Sequence, residues 1–241
     1  TISPVLYNDM SDNPIGTYFV GNTAYTYTQY NSRYKTNKTF FSDDAKETLD
    51  MVYYAFLVPN SDGSVTFSNS AYIKYVTELK ANDVRVIVSL NGATTAEQIN
   101  FYNITANEEL LSKFIKNICD VVEQYNFDGV DIDWEQNSTY PIRSAYFSKL
   151  VIGLYNELAS RQDEGGTPYM LTAALPGTSW GTSTDRFDYT VLNKYLDFIN
   201  VMTYGMYNSS ITSHVSPLYK PSYAVAYGFS LDYAVSRFES L

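Results

Sequence analysis

Between Phe127 and Gln136 the chain reads FDGVDIDWEQ, with Asp131, Asp133 and Glu135 at every second position. Alternate residues of a β-strand point to one face, so this spacing sets the three acids in a single file, neighbours about 6.6 Å apart along the strand. Carboxylates so placed repel one another, do not all ionise together, and leave a proton on one of them near neutral pH. A carboxyl that keeps its proton can act as a general acid. Breaking a glycosidic bond needs such an acid at the leaving oxygen while the sugar becomes oxocarbenium-like. Three other readings compete. A calcium loop fails for lack of the glycine required at its sixth position. A solvated acidic turn conflicts with Val130, Ile132 and Trp134 between the acids. A divalent-metal cluster stays open, because carboxylates also suit hard cations.

The file does chemistry only if a strand presents it at an accessible edge, and the rest of the chain supplies the frame. Short runs rich in Val, Ile, Tyr and Phe predict strands at Ile15–Val20, Met51–Val58, Val84–Leu90, Gly129–Trp134, Tyr169–Leu175 and Phe198–Tyr204. Several are apolar throughout, as strands buried on both faces must be. Between the third and fourth, Leu110, Leu111, Phe114, Ile115, Ile118, Val121, Val122 and Tyr125 fall at helical spacing, and Thr105 with Glu108 reads as a capping box. After the fourth, Phe147, Leu150, Val151, Leu154 and Leu158 form a second stripe that Gly165-Gly166 should end, and Ser230–Leu241 reads as a last helix. This alternation predicts an α/β fold with a parallel sheet, either doubly wound or about six βα units of a (β/α)8 TIM-type barrel. No Gly-rich dinucleotide fingerprint follows the first strand, which counts against the doubly wound form. One domain over residues 1–241 is expected, and a barrel of six units would need two more strands from a C-terminal continuation or another segment.

At this point a resemblance becomes specific. Asp128-Gly129-Val130-Asp131-Ile132-Asp133-Trp134-Glu135 resembles the DxxDxDxE signature of family 18 glycoside hydrolases. Tyr53-Tyr54-Ala55-Phe56, Ser89-Leu90-Asn91-Gly92 and Met202-Thr203-Tyr204-Gly205 are similar to that family's Y-A-F, S-x-G-G and M-x-Y-D in the same order, with Asn91 and Gly205 departing from the pattern. The resemblance implies a barrel enzyme acting on β-1,4-linked N-acetylglucosamine, without cofactor or metal, by a retaining mechanism in which the sugar's own acetamido oxygen attacks. It implies Glu135 as acid and base, Asp133 as the group that orients the acetamide, Asp131 sharing a proton with Asp133, and Tyr204 donating to the acetamide oxygen. Met202 would line the pocket floor. Tyr54 and Phe56 would line the subsite or pack in the core, and Asp128 would hold the start of its strand. Gly205 replaces an aspartate that helps hold the sugar. The segments TAALPG and VMTYG, ending the fifth and sixth strands, contain no Asp or Glu, which suits a mechanism without a protein nucleophile. Trp180, an indole in the Gly177–Gly181 loop, could stack on a sugar or anchor its loop.

Composition narrows the partners. A net charge of −10 with no Lys/Arg cluster argues against nucleic acid, and no apolar run is long enough to span a membrane. Cys119 has no partner for an internal disulfide, and His214 has no metal-spaced neighbour. Four N-x-Ser/Thr sites at Asn37, Asn103, Asn137 and Asn208, with a first residue that is Thr1 rather than Met, suit a processed secretory glycoprotein. The expected partner is chitin or an N-acetylglucosamine oligosaccharide. Two other functions fit: a chitin-binding lectin on a catalytically dead barrel, and an endo-β-N-acetylglucosaminidase acting on N-glycans. The retained Glu135 favours an enzyme over the lectin.

Overall fold

The computed structural model describes residues 14–20, 41, 43–135, 137–162, 166–206, 214–220 and 229–241. Its elements run β1 (Gly16–Val20), α1 (Asp43–Thr48), β2 (Met51–Pro59), β3 (Val65–Phe67), α2 (Lys74–Lys80), β4 (Arg85–Gly92), α3 (Thr95–Thr105), α4 (Glu108–Gln124), β5 (Gly129–Trp134), α5 (Ser144–Ser160), β6 (Met170–Pro176), α6 (Tyr189–Tyr195), β7 (Phe198–Met202) and α7 (Leu231–Glu239). Six strands pair in parallel in the order β1-β2-β4-β5-β6-β7, with short β3 antiparallel against β2. This is a partial (β/α)8 barrel, one of the two parallel forms that the alternating pattern allows and the one that the family resemblance implies. The sequence stripe on α4 is its buried face, where Leu111, Phe114, Ile115, Ile118 and Val122 are joined by the small buried thiol of Cys119.

Two apolar layers clasp the sheet. On its outer face Val52, Tyr54, Val88, Leu90, Val130, Ile132, Trp134, Leu171 and Ala173 pack against the helices in one large core. On its inner face Met51, Tyr53, Ile87 and Met170, with Phe198 against them, form a small plug. Period two then lifts polar residues above that plug on the same inner face: Ser89 on β4, Asp131 on β5, Thr172 on β6 and Asn200 on β7. The sheet curls until its edge strands meet across the interior, where Asn200 Nδ2 on β7 donates to the Tyr18 hydroxyl on β1 at 3.2 Å.

One local expectation is corrected. The capping box lies at Thr94 and Glu97, at the start of α3, and not at Thr105 and Glu108. Thr105 is inside α3 with its hydroxyl donating back to Phe101 O at 2.7 Å, and α4 is capped by Asn107, whose Oδ1 accepts from Glu109 N and Leu110 N. The stop at Gly165-Gly166 falls partly outside the described residues; α5 itself ends at Ser160. Among the sequons, Asn37 and Asn208 lie outside the described residues. Asn103 is exposed on α3, whereas the Asn137 amide donates to Gln98 Oε1 at 2.9 Å and accepts from Thr139 N and Tyr140 N.

Candidate active site

Strand β5 carries the file, and its three carboxyls meet three different environments. Asp131 is fully buried. Its Oδ2 accepts from the Tyr18 hydroxyl at 2.9 Å and Ser89 Oγ at 2.8 Å, and its Oδ1 from Thr172 Oγ1 at 2.7 Å and, more weakly, Asn200 Nδ2 at 3.4 Å. Four donors from four strands therefore converge on one carboxylate. Burial pushes its proton affinity up while those donors favour the ionised form.

Asp133 stands one step toward the mouth and is 7% exposed, and its buried Oδ1 has no hydrogen-bond partner among the described residues. Burial, then the charges of Asp131 and Glu135, push it up to about 8. The donors on both oxygens of Asp131 favour its ionised form, so the proton shared by this pair is weighted toward Asp133. Glu135, just past the strand end, is half-buried, and partial desolvation raises it too. Its backbone N–H is tied to Gly92 O at 3.2 Å, which fixes the file to the end of β4. The arrangement supplies a carboxylate at the bottom, a neutral acid in the middle and a raised, reachable carboxyl at the top.

Because Asp133 binds its proton far more tightly folded than unfolded, the folded chain holds the extra proton between about pH 4 and pH 8. Stability from this group is thus full below pH 4 and is lost as pH rises toward 8. Urea titrations should show a stability decline of a few kcal/mol across that window, as a shift of this size implies, and Asp133→Asn should flatten it.

Other residues singled out in the sequence fall at varied places. Asp128, at the opposite end of β5, accepts from Lys80 Nζ at 2.5 Å and Val86 N at 2.7 Å, holding the strand start. Tyr204, after β7, is 64% exposed, and partial burial together with the charges of Asp133, Glu135 and Asp131 raises its hydroxyl above the ordinary phenol range. Its hydroxyl therefore lies within electrostatic range of the file. Met202 ends β7 on the same face as Phe198 and Asn200. Tyr54 is not brought to the site: it lies in the outer core beside Phe67 and Phe127, and its hydroxyl donates to Asn69 O at 3.0 Å. Its neighbour Tyr53 takes the inner face, stacked on Tyr18 at 4.5 Å. Phe56 is half-buried at the slip in register between Ala55 and Leu57, after a cis Ala55–Phe56 bond. Trp180 is 53% exposed in the loop following β6, with the Arg186 guanidinium 5.4 Å from its ring centre. His214 is exposed. The donors to Asp131 were missed in the sequence, although the alternation that aligned the acids also points Ser89 and Thr172 inward.

Fold and site define a parallel barrel protein that carries a file of acidic side chains running to the C-terminal end of one strand, β5, the end where barrels of this kind keep their active sites. The chain belongs to the glycosyl hydrolases family 18, whose family model matches residues 22–240. It is 30% identical over 181 residues to a probable chitinase 2 of Drosophila melanogaster, a match covering 73% of this chain and 36% of that protein. Among solved structures it is similar to an immunomodulatory active chitinase from Trichuris suis (TM-score 0.77, 20% identity, 95% of this chain and 62% of that one). It is also similar to a mutant of catalytic domain 2 of the Ostrinia furnacalis Group II chitinase, solved with penta-N-acetylchitooctaose (TM-score 0.69, 22% identity, 80% and 53%). The chain spans about a third of the length of the fly protein and between half and two thirds of these two structures. No helix among the described residues is long and apolar enough to cross a membrane.

Proposed function

We propose that this site hydrolyses β-1,4-linked N-acetylglucosamine chains, with Glu135 giving its proton to the leaving oxygen and later taking one from water. The observation that carries the reading is the graded file on β5: Asp131 saturated with donors, Asp133 neutral with an unsatisfied oxygen, Glu135 raised and reachable. A glycosidase acid must hold its proton at the working pH, and desolvation shifts Glu135 in that direction. The sugar's acetamido oxygen is the nucleophile in this reading. Asp133 would receive the acetamide N–H on its empty oxygen and pass its own proton to Asp131, with which it shares it, as positive charge grows on the sugar, and Tyr204 would donate to the acetamide oxygen. The TAALPG and VMTYG segments offer no carboxylate for an ordinary nucleophile. A chitin chain lies outside cells, which suits a secreted protein.

Two observations separate this mechanism from its rivals. Proton NMR of fresh chitohexaose digests should show the β-anomer appearing first, because substrate-assisted attack retains configuration, and cello-oligosaccharides of equal length should stay intact because they have no acetamide. Early α-anomer, or cleaved cellohexaose, would overturn the mechanism. Release of the glycan from a high-mannose glycoprotein with chitohexaose left whole would instead favour the endo-β-N-acetylglucosaminidase reading.

Gly205 gives a further prediction. It has φ +68, and a Cβ built there would meet nothing within 4 Å. Aspartate tolerates this backbone region better than most residues, so Gly205→Asp should cost only about 1 kcal/mol of stability. If the carboxylate missing from the M-x-Y-D pattern limits turnover, the variant should cleave chitotriose severalfold faster than the parent. Unchanged kinetics in a folded variant would show that Gly205 is not limiting.

A further inference from the structure

Asn91 adds a side chain to the rim at a position where the S-x-G-G pattern has none. It is the last residue but one of β4, in register with Asp133 on β5, just as Ser89, two residues earlier, is in register with Asp131. Ser89 points inward, since its hydroxyl donates to Asp131 Oδ2 at 2.8 Å, so period two places Asn91 on the same inner face, one level nearer the mouth. Leu90 between them is fully buried in the outer core, as this parity requires. Paired strands lie about 4.8 Å apart, so Asn91 and Asp133 are neighbours on this face. The strands are tight here: a Cβ on Gly92 would come within 2.7 Å of Asp133 O and Trp134 Cα.

The orientation of the amide is half fixed. Asn91 Oδ1 accepts from Ala93 N at 3.1 Å, closing a small turn at the strand end. That contact occupies the carbonyl end and leaves the NH2 group as the donor end of a half-buried side chain. A sugar lying over Asp133 and within reach of Glu135 would present its ring and hydroxyl oxygens to this NH2.

We propose that Asn91 is a substrate-binding residue that donates its carboxamide N–H to an oxygen of the sugar held over Asp133. This rests on the reading of the site as a binder of N-acetylglucosamine chains. Asn91 then fixes the sugar from the β4 side.

The test is chitotriose binding measured by calorimetry in a Glu135→Gln background, where the ligand is not consumed, beside the same chain carrying Asn91→Gly or Asn91→Asp. Asn91→Asp keeps an oxygen for Ala93 N but removes the donor, so it separates turn closure from sugar binding. Both variants should bind about fivefold to tenfold more weakly, the loss expected for one neutral hydrogen bond, and Asn91→Asp, although its carboxyl adds to the acidic file, should still fold and melt cooperatively. Parent-like affinity in Asn91→Asp would reduce the residue to a turn cap and overturn the proposal. Equal or tighter binding by Asn91→Gly would do the same, showing a side chain that only fills space. If the Glu135→Gln chain itself does not bind chitotriose, the reading of the site fails, and this proposal with it.

Discussion

Glu135→Gln should lower hydrolysis of a fluorogenic chitotrioside by roughly two to four orders of magnitude, the contribution of a positioned general acid, with folding and oligomer affinity nearly unchanged. Glutamine keeps the shape of the side chain and removes only the transferable proton. Glu135 lies beyond the last residue of β5 and is not part of the buried core, so stability should scarcely move. The effect belongs to kcat, because the proton is needed as the leaving oxygen departs and not when the sugar binds. A variant within a factor of a few of the parent would take the acid role from this residue.

Asp131→Ala should be the most destabilising of these substitutions, at roughly 3–5 kcal/mol. The carboxylate has no exposed surface and is the shared acceptor for Tyr18, Ser89 and Thr172, with Asn200 completing the set. Removing it leaves several buried donors without a partner, each costing about 1–3 kcal/mol before relaxation. The loss is also topological. Tyr18 comes from one edge strand and Asn200 from the other, so Asp131 ties together the two ends of the curled sheet. A lower urea midpoint with the slope retained would record this, whereas a shift under about 1 kcal/mol would mean that water replaces the carboxylate easily. Activity should vanish as well, because Asp133 would lose the neighbouring charge that helps hold its proton.

The carboxylate file was legible because its period is that of a strand and because apolar residues fill the alternate places. The parallel order was legible for a similar reason, since strands buried on both faces read as unbroken apolar runs. That same property hid which way each side chain points. Tyr53 and Tyr54 are adjacent and both nearly fully buried, and a run without polar alternation does not reveal which faces the interior. Only pairing with β1 and β4 shows that Tyr53 joins the inner plug and Tyr54 the helix side. The donors around Asp131 stayed hidden because a hydrogen bond between residues 42 or 113 positions apart depends on register, which no local pattern encodes. Thr105 misled for a local reason: its hydroxyl satisfies the preceding turn of its own helix, and Asn107, the better cap, was two residues on.

The measurement that bears most directly on the central claim is hydrolysis of fluorogenic chitobiose and chitotriose by the parent chain, with binding of chitotriose followed in parallel. The parent should release the fluorophore, Glu135→Gln should not, and both should bind chitotriose. A parent chain that binds chitotriose but releases nothing would contradict that claim, leaving a carbohydrate-binding protein on a hydrolase fold.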